Sequence, residues 1–319
     1  MKRLLAIVVA LATATLSAQS LDGWEKTRWG MTASEVLDIL GSAAKPSEFA
    51  GPPLIMTVDS VAIGEREFMA TLWFSGPDPR LSSVALSPAR GADSTKELHD
   101  AVFDDLVATH GKPAIDRRAA WDRFEARQSI WTLGSTTIDL ELLTGTQFGQ
   151  WTFIYRPARR EAQGGGAIRY LAPSAFKGIP ARMKESLEQL GCRVPQPWPD
   201  RGPRNVVSGR FLTRKERSWA VLCSRAGASA ILVFSEGDAE IRAALNPALD
   251  SNFGTPAGDY ERGISVASPA FILRHDKLYG NDPPLPKLDH DGIDDATIGK
   301  GSEIHYFDGK GWRSLAGAD

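Results

Sequence analysis

The densest group of chemically capable side chains is an acidic run near the C-terminus. Asp289, Asp291 and Asp295 place carboxylates at alternate positions, and Ile293 between them can offer its backbone carbonyl. A calcium ion takes roughly 6–8 oxygen ligands of these kinds, and Gly292 permits the sharp turn that such a loop needs. The spacing predicts a calcium site made by Asp289, Asp291, Ile293 and Asp295. The alternative is an acidic surface turn that binds no metal.

A hydrolytic centre is a second interpretation of this region, because His290 lies among Asp289, Asp291, Asp294 and Asp295. The sequence contains neither the His-Glu-x-x-His pattern of zinc proteases nor the Gly-x-Ser-x-Gly nucleophile turn. The other histidines are scattered along the chain: His99, His110, His275 and His305. No catalytic residue is therefore predicted.

Composition and charge are those of an ordinary globular protein. Hydrophobic residues make up 42% and charged residues 24%, which excludes a mostly disordered chain. Lys and Arg total 37 against 39 Asp and Glu, a formal net charge of -2. Dedicated nucleic-acid-binding proteins are usually clearly basic, so no nucleic-acid partner is expected. The short basic stretches at 117–118 and 214–217 are predicted to be solvated surface.

The N-terminus has the three parts of a secretory signal peptide. Lys2-Arg3 precedes an apolar run over residues 4–16, and Ala18 and Ser20 supply a small-x-small exit. Residues 1–20 are predicted to be removed on export, with an N-terminal membrane anchor as the alternative. The run is short for a hydrocarbon core of roughly 30 Å, and no membrane span is expected in the mature form. The mature protein is expected to be periplasmic or secreted.

Both cysteines, Cys192 and Cys223, fall in the second half of the chain. An exported protein meets an oxidising compartment, where two thiols in one domain most simply form a disulfide. Closing a loop of about 31 residues would contribute roughly 3–4 kcal/mol in the chain-entropy model. Two buried free thiols are the alternative.

A polar, glycine-rich stretch divides the chain. Residues 158–166 end in three glycines, a composition typical of flexible linkers. Domains are therefore predicted at 21–157 and 167–319.

The sequence of the first domain predicts one helix followed by three strands, in two successive repeats. A helix is predicted over 31–41, with Thr32 and Glu35 forming a capping box and Gly41 ending it. A longer helix over 94–111 opens the second repeat. Strand-like runs follow the two helices at 54–63, 68–74 and 81–86, and at 128–133, 137–142 and 151–155. The pattern predicts an α+β class with helices packed on an antiparallel sheet.

The stretch Trp29-Gly30-Met31-Thr32, followed by Glu35-Val36 and Leu40-Gly41, resembles two groups of proteins. They are the small envelope modules of the SmpA/OmlA type and the beta-lactamase-inhibitor-like proteins built from related tandem units. The resemblance implies a non-catalytic interaction domain. This chain departs from the SmpA/OmlA pattern because it lacks the lipid-anchoring cysteine and has one helix, not two, before each strand set.

The second domain is predicted to be a small α+β domain with β-hairpins, opening with a helix over 173–190. Two later blocks, 205–234 and 288–307, resemble FG-GAP (VCBS-type) repeats. That family's third, fifth, seventh and ninth loop positions fall on Asp289, Asp291, Ile293 and Asp295. Its first position falls on Lys287, whose ammonium repels a cation. The earlier block has no metal loop, because the matching residues are Arg210, Leu212, Arg214 and Ser218.

These features predict an exported α+β protein of two domains that acts by binding. An envelope or secreted protein-interaction module, with calcium as a structural ion, is the leading interpretation. The alternatives are a secreted hydrolase with its site at the acidic cluster, and a carbohydrate-binding module that uses some of the nine tryptophans. The partner is expected to be a protein of unidentified kind, and the sequence specifies no oligomeric state.

Overall fold

The computed structural model describes residues 21–47, 54–88, 96–121, 124–145, 149–158, 168–197, 202–236, 239–254, 260–279 and 288–317. The predicted signal peptide, almost all of the predicted linker and Lys287 lie outside these ranges. Within them, none of the helices has the length and apolar character needed to cross a membrane.

An eight-stranded antiparallel sheet and two helices form the N-terminal half. The helices are α1 (Ala33–Leu40) and α2 (Lys96–His110). The strands are β1 (Ala44–Pro46), β2 (Leu54–Ile63), β3 (Arg66–Ser75), β4 (Arg80–Pro88), β5 (Ile115–Trp121), β6 (Phe124–Leu133), β7 (Thr136–Thr144) and β8 (Gly149–Pro157). They lie in the order β1-β2-β3-β4-β8-β7-β6-β5, so the two repeats meet through their last strands. Each repeat has one strand more than predicted, β1 and β5.

Local capping explains where the first helices begin and end. The Thr32 side chain accepts a hydrogen bond from the Glu35 N–H, and a Glu35 carboxylate oxygen lies 2.7 Å from the Thr32 backbone nitrogen, which confirms the predicted capping box. Gly41 follows α1 and Gly111 follows α2, both with positive φ, a conformation that glycine adopts without strain.

One face of the eight-stranded sheet packs against both helices. Along β3, Phe68, Ala70, Leu72 and Phe74 are at most 1% exposed, whereas the residues between them are partly exposed. Helix residues that complete this core include Val36, Val102 and Leu106. Alternation of this kind is what an antiparallel sheet covered on one face requires.

Two four-stranded antiparallel sheets and two helices form most of the C-terminal half. The helices are α3 (Ala181–Gln189) and α4 (Pro269–Tyr279). The short strands β9 (Arg169–Leu171) and β10 (Val194–Gln196) pair with each other. One sheet contains β11 (Val206–Thr213), β12 (Glu216–Arg225), β13 (Ala228–Ser235) and β14 (Ile241–Leu249), and the other contains β15 (Arg262–Ala267), β16 (Gly292–Thr297), β17 (Gly301–Phe307) and β18 (Trp312–Ala316).

These elements stack as four layers: α3, the β11–β14 sheet, the β15–β18 sheet, and α4. On β12, Val221 and Cys223 face the α3 side, whereas Ala220 and Leu222 face the other sheet. Ile272 of α4 packs on the outer face of the second sheet. The α+β class predicted from the sequence is confirmed.

The predicted disulfide is also confirmed: Cys192, just after α3, is bonded to Cys223 on β12, with a Cα–Cα distance of 5.4 Å. The helix predicted to open at 173 instead begins at Ala181. A short 3-10 turn at Pro173–Ala175 and the positive φ of Gly178 precede α3. Leu143 and Trp121 of the first sheet pack in the same core as α3, so the two predicted domains share buried side chains.

Candidate functional site

The first two predicted calcium ligands lie in the turn before β16. His290 Nδ1 lies 3.0 Å from Asp289 Oδ1, and Asp289 is exposed. The hydrogen bond from His290 is the main cause that lowers the pKa of Asp289. Asp291 Oδ2 accepts a hydrogen bond from the backbone N–H of Arg210 at 2.9 Å, which ties this turn to β11.

The other two predicted ligands lie within β16 itself. Ile293 is fully buried between the two C-terminal sheets. Asp295 also points between the two C-terminal sheets. It forms a bidentate ion pair with Arg262, with distances of 2.9 Å from Nε to Oδ1 and 2.7 Å from Nη2 to Oδ2. Asn246 Nδ2 donates to Asp295 Oδ2 at 2.8 Å. Both oxygens of this carboxylate are therefore already occupied by donors.

The electrostatics of Asp295 follow from that contact. Burial by itself would raise its pKa, but the charge and hydrogen bonds of Arg262 outweigh burial and hold the pKa far below its usual value. In the part of the chain that the structure describes, no group of three or more His, Cys, Asp or Glu side chains could hold a metal ion. Calcium binding stays a prediction, which calorimetric titration would contradict by showing neither heat nor a shift of melting temperature at millimolar calcium.

The acidic run does not gather into one centre. Asp294 and Asp295 point to opposite faces of β16, because neighbouring residues of a strand alternate. Asp294 faces the α4 side, where its Oδ2 lies 3.3 Å from Ser265 Oγ. A hydrolase that used Asp294, Asp295 and His290 together would need them to converge on one cavity.

The tryptophans form no exposed platform among the residues that the structure describes. Four are buried: Trp24, Trp121, Trp131 and Trp219. Four are partly exposed: Trp29, Trp73, Trp151 and Trp312. Trp198 lies outside the described ranges. A carbohydrate-binding face of coplanar, exposed tryptophans would need a different distribution.

A buried polar junction connects the eight-stranded sheet to the C-terminal half. Glu141 on β7 is fully buried, and its Oε1 accepts a hydrogen bond from Gln128 Nε2 at 2.9 Å. The turn between β12 and β13 comes so close that a Cβ on Gly227 would lie 2.6 Å from that oxygen. Burial, and then the charge of Asp139, raise the pKa of Glu141 well above its usual value of 4.5.

The second face of the eight-stranded sheet is unevenly covered. Over β5–β7, Ala119, Trp121, Phe124 and Leu143 are buried against the C-terminal half. Over β2, β3, β4 and β8, side chains on the same face are partly exposed: Ile55, Thr57, Met69, Thr71, Trp73, Ser83, Ala85 and Ile154. We call this second set the open sheet face.

The strand register joins these side chains into continuous rows. Thr57, Thr71, Ala85 and Ile154 are successive partners across β2, β3, β4 and β8. Ile55, Trp73 and Ser83 form the next row. These positions carry no charge, but the first row continues into Lys45 of β1, the partner of Thr57, and into Asp139 of β7, the partner of Ile154. The sequence predicted the strand over 68–74, but the pairing that creates the rows depends on β4 meeting β8, which no local pattern specifies.

Comparisons with protein-family models, with curated proteins and with solved structures find no match for this chain, so its site has to be judged by its own geometry.

Proposed function

We propose that the protein is a non-catalytic interaction module that binds a protein partner on the open sheet face. The supporting observation is the uneven coverage of the eight-stranded sheet. One face is covered by α1 and α2, and half of the other face is covered by the C-terminal half, whereas the neutral rows across β2, β3, β4 and β8 keep partial exposure. A rigid sheet that carries apolar and hydroxyl side chains suits a protein surface better than a small ligand.

The residue types of the open sheet face support this proposal. Trp73 and Met69 belong to the classes enriched in protein interfaces, and charged residues are depleted from interface centres. Tryptophan is also prominent among the few residues that dominate binding energy. The central Thr71 lies between Trp73 and Met69 along β3 and is flanked by Thr57 and Ala85 on neighbouring strands. The expected partner surface is therefore neutral and largely apolar at its centre.

The arrangement of the acidic run favours binding over hydrolysis. Asp295 is held by Arg262, and Asp294 faces the other side of its sheet. A general acid or base needs a carboxylate that is free to exchange its proton with substrate. The predicted signal peptide, together with the disulfide, supports a partner in the envelope or outside the cell.

Photocrosslinking tests this proposal directly. A photoreactive amino acid replaces Thr71 in the full chain, and in a matched control it replaces Thr109, an exposed residue of α2 on the opposite side of the sheet. After export and irradiation in the native host, we expect a specific crosslinked protein from position 71 and none of that product from position 109. The same products from both positions, or none from either, would contradict the proposal.

A further inference from the structure

Two turns of the C-terminal half meet Glu141 at the buried polar junction. In the turn between β12 and β13, a Cβ on Gly227 would lie 2.6 Å from Glu141 Oε1 and 2.9 Å from Gln128 Nε2. The 3-10 turn after β14 contacts β8, where Ser251 Oγ lies 3.3 Å from Thr152 Oγ1. Gln128 and Thr152 are the direct strand partners of Glu141 on β6 and β8. The Glu141 carboxyl therefore lies where both turns meet the sheet.

Two further buried carboxyl groups lie beside Glu141. Asp139 is two residues earlier on the same face of β7, and Asp250 is in the 3-10 turn after β14; all three residues are at most 5% exposed. Glu141 Oε2 and Asp139 Oδ1 have no hydrogen-bond partner of normal geometry among the described residues. Burial is the largest cause that raises the pKa of Glu141, and the charges of Asp139 and Asp250 raise it further. The Ser251 hydroxyl lowers this pKa, but by less than burial raises it.

The arginines around this junction are bonded to other groups. Arg156 on β8 is paired with Asp139, with 2.6 Å between Nη2 and Oδ2. Arg262 forms its bidentate pair with Asp295. Arg225, at the end of β12, donates to a backbone carbonyl of β5 at 2.7 Å. Since a buried charge without a partner is costly, the closed junction accommodates the neutral carboxyl and disfavours the ionised one.

The apolar part of the same contact is small on the side of the eight-stranded sheet. Five of its buried side chains pack with the C-terminal half: Ala119, Trp121, Phe124, Ala126 and Leu143. The chain passes between the halves once, through residues 158–166, whose glycine-rich composition is typical of flexible linkers. A contact of this kind opens locally at a lower free energy than the whole protein unfolds.

We propose that ionisation of Glu141 opens this junction, so that the C-terminal half leaves the eight-stranded sheet while both halves stay folded. In the open form the carboxyl meets water and ionises near its usual pKa of 4.5, whereas the closed contact keeps the proton to a higher pH. The equilibrium constant for opening therefore rises by up to about tenfold per pH unit above 4.5, until the pH reaches the raised pKa.

The opened form has a larger apolar surface. The five apolar side chains of the contact join the open sheet face, which lies beside them on the same side of the sheet. Opening is a property of the free protein, so it goes beyond the binding function proposed above and does not rest on it.

Thiol labelling of the full chain with a maleimide measures this opening. Ala126→Cys places a thiol beneath the C-terminal half, and Ala70→Cys places one on the opposite face of the sheet, under the helices; both alanines are at most 1% exposed. The natural cysteines are bonded to each other and do not react. Each rate is divided by that of a short cysteine peptide at the same pH, which removes the effect of thiol ionisation.

We expect the corrected rate of the Ala126→Cys variant to rise by about tenfold or more from pH 5 to pH 8. It should exceed that of the Ala70→Cys variant, which reports unfolding of the whole sheet and core. Ala119→Cys is a second probe of the same contact, so the result does not depend on one substitution.

Two isosteric changes assign the pH dependence. In the Ala126→Cys background, Glu141→Gln should flatten the profile, because it removes the ionisable group. Glu125→Gln, at an exposed position of β6, should keep the full rise. Equal corrected rates for the Ala126→Cys and Ala70→Cys variants would overturn the proposal, since they would show that the halves unfold together. A rise of the same size in the Glu141→Gln variant would also overturn it.

Discussion

Arg262 is among the largest side chains buried completely in the described protein. Its guanidinium bonds Asp295, the backbone and hydroxyl of Ser229, and the carbonyl of Asn246, so it joins the two C-terminal sheets. Breaking a buried pair leaves an uncompensated charge in a medium of low polarity, which costs far more than the pair itself contributes.

Replacing this arginine should therefore be strongly destabilising. We expect Arg262→Met to lower the free energy of unfolding by about 3–5 kcal/mol, because Asp295 stays buried without its partner. The double variant Arg262→Met/Asp295→Leu should recover part of that loss. Urea denaturation measures both.

The pair of Arg313 and Asp308 provides the control, since the two are 3.0 Å apart and the arginine side chain is 64% exposed, although the Asp308 side chain is only 13% exposed. Arg313→Met should cost about 1 kcal/mol or less. Equal losses for the Arg262 and Arg313 variants would show that the buried pair has no special role.

The raised pKa of Glu141 makes the free energy of unfolding depend on pH. Its raised pKa means that the folded protein keeps the proton over a range in which the unfolded chain has lost it. The free energy of unfolding therefore falls as pH rises above 4.5 towards the raised pKa. Burial also raises the pKa values of Asp139 and Asp250, so these two groups likewise make the free energy of unfolding fall as the pH rises. The lowered pKa of Asp295 changes the free energy of unfolding only below the usual aspartate pKa of 3.8.

Removing the Glu141 charge should flatten that dependence. We expect Glu141→Gln to be more stable than the unchanged protein at pH 8, and to lose this advantage as the pH falls towards 5. Melting temperatures across this range measure the effect, with the exposed Glu125→Gln on β6 as control. A parallel pH profile for the Glu141 variant and the unchanged protein would refute the assigned junction.

At the scale of elements, periodicity and caps predicted α1, α2 and three of the four strands in each repeat, but not β1 or β5. The edge strand β1 is only three residues long, too short for any pattern to register. The acidic run was expected to be a loop, yet residues Gly292–Thr297 pair with β15 on one side and β17 on the other. Ladder pairing on both sides overrode the poor strand propensity of aspartate, and the partner of Asp295 lies 33 positions away in sequence.

The disulfide connects α3 to β12 and restricts the unfolded chain between them. It closes a sequence separation of 31 residues. We expect Cys192→Ala/Cys223→Ala to lower the free energy of unfolding by about 3–4 kcal/mol in the chain-entropy model. Denaturant unfolding of the variant and of the disulfide-bonded protein measures the difference. A loss below about 1 kcal/mol would show that the core around α3 and β12 is stabilised mainly by packing.

At the scale of the whole molecule, burial distinguishes the covered part of the second face of the eight-stranded sheet from the open sheet face. Ala119, Trp121, Phe124 and Leu143 pack with the C-terminal half and leave the neighbouring part of the same sheet face partly exposed. Composition predicted a globular chain and the order of helix and strand patterns predicted the α+β class, whereas the two-domain division stays a prediction. The open sheet face could not be predicted from sequence, because it depends on which part of the sheet the C-terminal half covers.

The affinity of the crosslinked partner for variants of the open sheet face tests the central claim most directly. A charged side chain at Thr71 would be buried without compensation at the centre of a neutral interface, so Thr71→Arg should weaken binding at least tenfold, or about 1.4 kcal/mol. Thr109→Arg on α2 should bind like the unchanged protein. Equal affinities for the two variants would contradict binding through this face.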